Sequence, residues 1–195
     1  KKMLSYKESL KILKETNALL EGHFILSSGL HSDKYVQCAQ LMSKPAKASK
    51  ICASLADKIK KEFTKIDLIL APAMGGIIVG YEIGRILNIE TIFSERVSKE
   101  FKLRRDFKIK INSNVLIVED VITTGKSGLE CSNIVKNAKA NIIGYACLIN
   151  RSNGKSNINE KIISQVEIVI PTYEKNNLPN HLRATEAIKP GSRNI

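Results

Sequence analysis

Residues 115–127 constrain this chain most, because they join a strand covered on both faces to a loop sized for one phosphate. Val115, Leu116, Ile117 and Val118 are consecutive apolar residues, three of them β-branched, which suits a strand in the interior of a parallel sheet. Glu119 and Asp120 then bring charge to the carboxyl end of that strand, where open α/β sheets present their ligands. Val121, Ile122, Thr123, Thr124, Gly125, Lys126 and Ser127 complete the turn into a helical pattern over 127–138. Its backbone N–H groups, hydroxyls and helix N-terminus can hold one phosphate. Carboxylates for sugar hydroxyls beside an anion cradle describe a ribose-phosphate site.

A nucleotide-triphosphate loop is excluded, because the pattern ending in Gly125-Lys126-Ser127 would need glycine at position 120, which is Asp120. The last five residues alone are equally compatible with ordinary helix capping by Thr and Ser. The whole string is more specific and resembles the phosphoribosyl pyrophosphate (PRPP) signature of the type I phosphoribosyltransferases. That resemblance implies that Glu119 and Asp120 meet the ribose hydroxyls, that the loop through Ser127 holds the 5′-phosphate, and that residues 119–127 together bind PRPP.

Strand and helix patterns alternate along the chain after a distinct N-terminal piece. Ser5 and Glu8 have capping-box spacing, with Leu10, Leu13, Ala18 and Leu20 as apolar positions of a first helix. Residues 23–27 and 35–38 flank Ser28-Gly29, a hairpin-like pattern. Pro45 opens a long helix ending near Phe63. Residues 67–71, 90–93, 115–118, 142–149 and 166–170 read as strands, and 76–87 and 127–138 as crossover helices. The expected class is α/β, a largely parallel sheet with helices on both faces. It forms one domain over 1–195, with a small N-terminal hood at 1–44 and a flexible basic loop at 96–107. A second backbone-rich turn, Ala71-Pro72-Ala73-Met74-Gly75-Gly76, follows the first core strand and is a candidate for the pyrophosphate end of the substrate.

Composition narrows the class further. A chain of 195 residues, 43% hydrophobic, buries a substantial core. No apolar run reaches membrane-spanning length, and no secretory signal is expected, because no uninterrupted apolar segment follows the first lysines. Cys38, Cys52, Cys131 and Cys147 lack C-x-x-C spacing and are expected as reduced thiols filling the core of a cytoplasmic protein. His23, His31 and His181 are too scattered to suggest a metal site. The net charge of +12 raises the question of nucleic acid, but the lysines are spread over nearly every helix and there is no Trp for stacking. No nucleic-acid or membrane partner is expected. One cluster stands out, seven cations from Arg96 to Lys110 against Glu95, Glu100 and Asp106. It reads either as a solvated connection or as a lid that closes over a polyanion.

The hairpin 23–35, the stretch Phe93-Ser94-Glu95-Arg96, Leu103-Arg104-Arg105 and the 189–193 tail resemble, in the same order, the orotate phosphoribosyltransferase family over essentially the whole chain. The resemblance implies a Mg²⁺-dependent transfer of ribose 5-phosphate from PRPP to orotate in pyrimidine (UMP) biosynthesis. It also implies a homodimer whose basic loop completes the neighbouring active site. Thr123 and Arg151 match the positions that meet orotate, and a guanidinium can grip the substrate carboxylate bidentately. On the sequence alone Arg151 equally suits an ordinary loop arginine after the 142–149 strand. Arg96, Lys99 and Asp120 are the implied catalytic residues, with Lys102 next in line to Lys99. No protein metal ligand is named, because Mg²⁺ at phosphate sites is held chiefly by substrate oxygens and water. Thr185, Glu186 and the 189–193 tail are taken as structural. Some family members carry lysine at the positions of Ser27 and Gly75; its absence here places more weight on Arg96 and Lys99. The alternatives are transfer to another base and a PRPP-sensing regulator that binds nucleic acid.

Overall fold

In the computed structural model, residues 3–190 are described, so Gly191, Ser192 and Arg193 of the tail lie outside the described residues. The elements are α1 (Tyr6–Glu15), β1 (Leu19–Ile25), β2 (His31–Val36), α2 (Cys38–Met42), α3 (Pro45–Glu62), β3 (Leu68–Pro72) and α4 (Gly75–Leu87). They continue with β4 (Thr91–Val97), β5 (Glu100–Leu103), β6 (Asn114–Ile122), α5 (Lys126–Asn137), β7 (Asn141–Asn150), β8 (Ile162–Glu167) and α6 (Asn180–Arg183).

Helix starts follow local chemistry. Ser5 accepts from the Glu8 N–H while Glu8 reaches back to the Ser5 N–H, closing the capping box of α1. The helix stops at Glu15, earlier than its apolar spacing suggests, because Thr16 caps it and Asn17 turns left-handed at φ 59°. Ala18 is thus a linker residue and Leu20 belongs to β1. Pro45 opens α3, whose buried Ala48, Ile51, Cys52, Leu55, Ala56 and Ile59 fall on one face at helical spacing.

The main sheet has the order β5-β4-β3-β6-β7-β8, parallel except for β5, which runs antiparallel to β4. Two cores form on its two faces. Leu116 and Val118 of β6 point into the core shared with α3 and α4, while Val115 and Ile117 point into the core shared with α5. Each such side chain contributes about 1.5–3 kcal/mol on burial. The same alternation sends Glu119 towards α5 and Asp120 towards α4. Strand β8 ends at Glu167, short of the apolar 168–170, because its ladder on β7 stops at the Asn150–Glu167 pair. Ile168 and Ile170 pack into the first core instead. No helix among the described residues is long and apolar enough to cross a membrane.

Strands β1 and β2 form a separate two-stranded sheet. It is tied to the far end of the chain by Ile25 N–H to Ile188 O and His31 N–H to Tyr173 O, both 2.8 Å. Two of the three histidines meet in this sheet. His23 Nε2 lies 2.6 Å from His31 Nδ1, and His23 Nδ1 meets the Thr185 carbonyl at 3.0 Å, so that nitrogen carries the hydrogen. Sequence spacing hides this pairing because a bulge between Glu21 and Phe24 resets which face each residue takes.

The basic segment also differs from expectation. Residues 96–103 do not form an open loop. Val97 pairs with Glu100 and Arg96 with Phe101, giving an antiparallel hairpin with Ser98 and Lys99 at its tip. The alternation Glu100-Phe101-Lys102-Leu103, with Phe101 buried, was the strand signal that the charge cluster concealed.

Candidate active site

The sheet reverses direction of growth between β3 and β6: β4 lies beyond β3 on one side, and β7 beyond β6 on the other. Ligands of open α/β sheets bind at such a switch, outside the carboxyl ends of the strands. Both backbone-rich turns sit there, 73–74 leading into α4 and 123–125 leading into α5.

The turn after β6 encloses a cavity of about 110 Å³ lined by Glu119, Val121, Thr123, Thr124, Lys126 and Ser127, among others. A cavity of this size admits one tetrahedral anion. Gly125, at φ 82°, starts α5 in a conformation that side chains disfavour, and a Cβ there would lie 2.8 Å from Ile158. The turn is braced from outside by the Asn157 N–H to the Thr124 carbonyl, 3.0 Å, and within by the Lys126 N–H to Thr124 Oγ1, 3.3 Å.

The two carboxylates have different environments. Glu119 is 6% exposed, and its Oε1 has no hydrogen-bond partner. Burial, and then the Asp120 charge, push its carboxyl up to about 8, opposed by a hydrogen bond from the Gly128 backbone. At neutral pH it is largely protonated and able to donate. Asp120 faces α4 across the switch, its pKa raised by burial and held back by hydrogen bonds from the backbone of Val121 and its own N–H. Its carboxylate occupies the space beside Gly75, where a Cβ would come within 2.4 Å of Oδ2. Cys38 points its thiol at the Asp120 carbonyl, 3.9 Å away, joining α2 to the same strand end.

Arg151 follows β7 directly beside this turn, its N–H bonded to the Ile122 carbonyl at 2.9 Å. The side chain is half-buried, and its Nε is fully enclosed with no partner. Burial lowers its pKa, and no ion pair engages it among the described residues. Thr123, by contrast, is exposed on the turn.

The second turn supplies backbone alone. The Ala73–Met74 peptide is cis, and the Ala73 N–H reaches the Ser94 carbonyl at 2.8 Å. Gly76 lets α4 pass close to β6, since a Cβ would lie 3.2 Å from the Val118 carbonyl. The basic hairpin leaves Lys99 exposed, whereas Arg96 is committed within its own chain, to Glu130 Oε2 at 3.0 Å and over the Phe101 ring at 4.1 Å. The sequence alone does not single out Gly128, Glu130, Asn157 and Ile158. Gly128 was readable as the small residue one turn into α5, while the others reach the site only through tertiary packing. A larger cavity, about 340 Å³, lies at the opposite end of the sheet against Tyr81, Arg85, Asn88 and Glu90, away from both turns and the acidic pair.

Residues 40–182 match the phosphoribosyl transferase domain family. The orotate phosphoribosyltransferase of Parvibaculum lavamentivorans is 45% identical over 189 residues, covering 95% of this chain and 97% of that protein. That of Novosphingobium aromaticivorans is 43% identical over 187 residues, covering 95% and 96%. Among solved structures, orotate phosphoribosyltransferase from Aeropyrum pernix superposes with TM-score 0.70 at 21% identity, over 81% of this chain and 92% of that one. An adenine phosphoribosyltransferase follows with TM-score 0.65, also at 21% identity, over 83% of this chain and 100% of that one. Those structural likenesses establish the type I phosphoribosyltransferase fold and leave the base undecided. Full-length sequence identity decides between branches of that fold: the chain belongs to the orotate phosphoribosyltransferase family.

Proposed function

We propose that this protein transfers ribose 5-phosphate from PRPP to orotate, giving orotidine 5′-monophosphate and pyrophosphate in UMP biosynthesis. The observation that carries this reading is Arg151, a half-buried guanidinium beside the phosphate turn with an enclosed Nε and no internal counter-ion. A buried cation left unpaired is costly, and a carboxylate-bearing substrate relieves that cost with paired hydrogen bonds. Thr123, on the adjacent turn, is placed to contact the base.

Binding and chemistry divide between the two strand ends. The turn 123–127 holds the 5′-phosphate with backbone N–H groups and hydroxyls, and Glu119, at its floor, meets a ribose hydroxyl. Asp120 faces the ribose and stabilises the positive charge that builds on the sugar as the bond to pyrophosphate breaks. The N-terminus of α4, with Gly75 and Gly76, receives the pyrophosphate through main-chain donors. Mg²⁺ would suit this site, because substrate phosphate and hydroxyl oxygens with water are its usual company and the acidic pair at the end of β6 adds favourable charge. When bound, it offsets charge on the phosphates.

The reading includes a homodimer in which the hairpin tip reaches the neighbouring site and delivers Lys99. It is supported by the exposed apolar Met74, Ile78 and Tyr81 along α4, a surface suited to a second copy. A cytoplasmic location is supported by four free, buried cysteines.

Orotate consumption with PRPP and Mg²⁺, with adenine, hypoxanthine and uracil as competitors, tests the assignment. Orotate should be used alone. Equal turnover of a base without a carboxylate would end the orotate reading and leave the family membership standing.

A further inference from the structure

The tip of the basic hairpin has a sequence at odds with its conformation. Ser98 and Lys99 are its two central residues, and both have left-handed backbones, φ 50° and 72°. Two-residue hairpin turns with positive φ at both positions favour Asn-Gly, because any Cβ crowds the following carbonyl. A Ser-Lys tip therefore needs support from outside the turn.

Arg96 gives that support. Its Nη1 donates to the Lys99 carbonyl at 2.5 Å and to Glu130 Oε2 at 3.0 Å, and its guanidinium lies over Phe101, its cross-strand partner, at 4.1 Å. Phe101 is anchored in the α5-side core. Glu130 sits on α5, the helix whose first turn is the phosphate turn. One side chain thus connects the hairpin tip, the hairpin base and the phosphate-binding helix, while Lys99 points into solvent without an ion-pair partner among the described residues.

We infer that Arg96 and Glu130 are positioning residues, a clamp that holds the Ser98–Lys99 turn so that the Lys99 ammonium is presented to the leaving pyrophosphate. This assignment rests on the proposed reaction and revises the role of Arg96 within it, since a guanidinium held by three partners of its own chain acts through Lys99. Glu130 thereby enters the functional set with no ligand contact of its own.

The test uses the intact protein and variants Arg96→Ala, Glu130→Ala, the double variant, and Arg96→Ala combined with Ser98→Asn. Losing the clamp lowers the fraction of hairpins in the presenting conformation, and kcat falls with that fraction, about tenfold, with the PRPP KM nearly kept. The double variant should be no worse than either single one. Asn at position 98 favours the left-handed turn and should recover most of the Arg96→Ala loss. A dead Arg96→Ala that Ser98→Asn cannot rescue, beside a fully active Glu130→Ala, would overturn the clamp and make Arg96 a direct ligand of the leaving group. Hydrogen exchange of the amides of residues 97–103 supplies a readout independent of catalysis. Both single variants should speed it about tenfold, and Ser98→Asn should reverse the change. If the wild type fails to use orotate, the functional reading falls while this readout still decides the clamp; unchanged exchange would overturn it.

Discussion

The position a Cβ would take on Gly75 lies 2.4 Å from Asp120 Oδ2, so the glycine is the space in which the carboxylate rests. Any side chain at position 75 is incompatible with this placement of Asp120. Gly75→Ala should displace Asp120 by about an ångström and lower kcat on the order of a hundredfold, the usual sensitivity of a reacting geometry to such a shift. Steady-state kinetics with parallel thermal melts checks this. A fully active Gly75→Ala would show that Asp120 need not occupy that place.

Glu119 makes stability depend on pH in a definite direction. Its carboxyl stands at about 8 in the folded protein against an ordinary 4.5. Between those values the folded state binds more protons than the unfolded one, so this group's contribution is fully present below 4.5. It is lost as pH rises through 8, at up to roughly 1.4 kcal/mol per pH unit. Glu119→Gln keeps the shape and cannot ionise. Urea unfolding from pH 5 to pH 8 should therefore give a flatter profile for Glu119→Gln and a variant more stable than the wild type at pH 8. Parallel profiles would contradict the buried, protonated state.

The proposed role of Arg151 as a ligand group, not a structural one, separates two measurements. Arg151→Met should raise the orotate KM at least about a hundredfold, the loss of a bidentate charge-assisted contact of roughly 3 kcal/mol. It should leave the melting temperature unchanged or higher, because it removes a desolvated charge. A large loss of stability would assign Arg151 to the fold.

Lys99→Ala and Asp120→Asn should each be folded and nearly inactive. Mixed under subunit exchange, they form heterodimers with one doubly damaged site and one intact site. With random pairing, activity should recover to about a quarter of wild type. No recovery after demonstrated exchange would return Lys99 to its own subunit or pass its role to Lys102.

Much of this architecture is legible in the sequence because its signals are local. The capping box at Ser5 and Glu8, Pro45 at the start of α3 and the apolar run into Glu119-Asp120 each depend on neighbours in sequence. The different fates of Glu119 and Asp120 follow from strand alternation once β6 is known to be covered on both faces. What stayed hidden depends on contacts between distant segments. The Arg96–Glu130 pair spans 34 positions, and no feature of either neighbourhood points to the other. The end of β8 was misplaced because apolar Ile168, Val169 and Ile170 look like strand, whereas the ladder that defines a strand belongs to its neighbour.

The β1–β2 sheet also sets an order of assembly. A two-stranded sheet is marginal by itself. Here its lateral bonds come from Tyr173 and Ile188, and the His23–Thr185 contact spans 162 positions. During synthesis the hairpin emerges before residues 173–188 and must wait for them before these partners exist. The six-stranded sheet, with its mostly sequential neighbours, can form first, and a hairpin that precedes it in the chain settles after it.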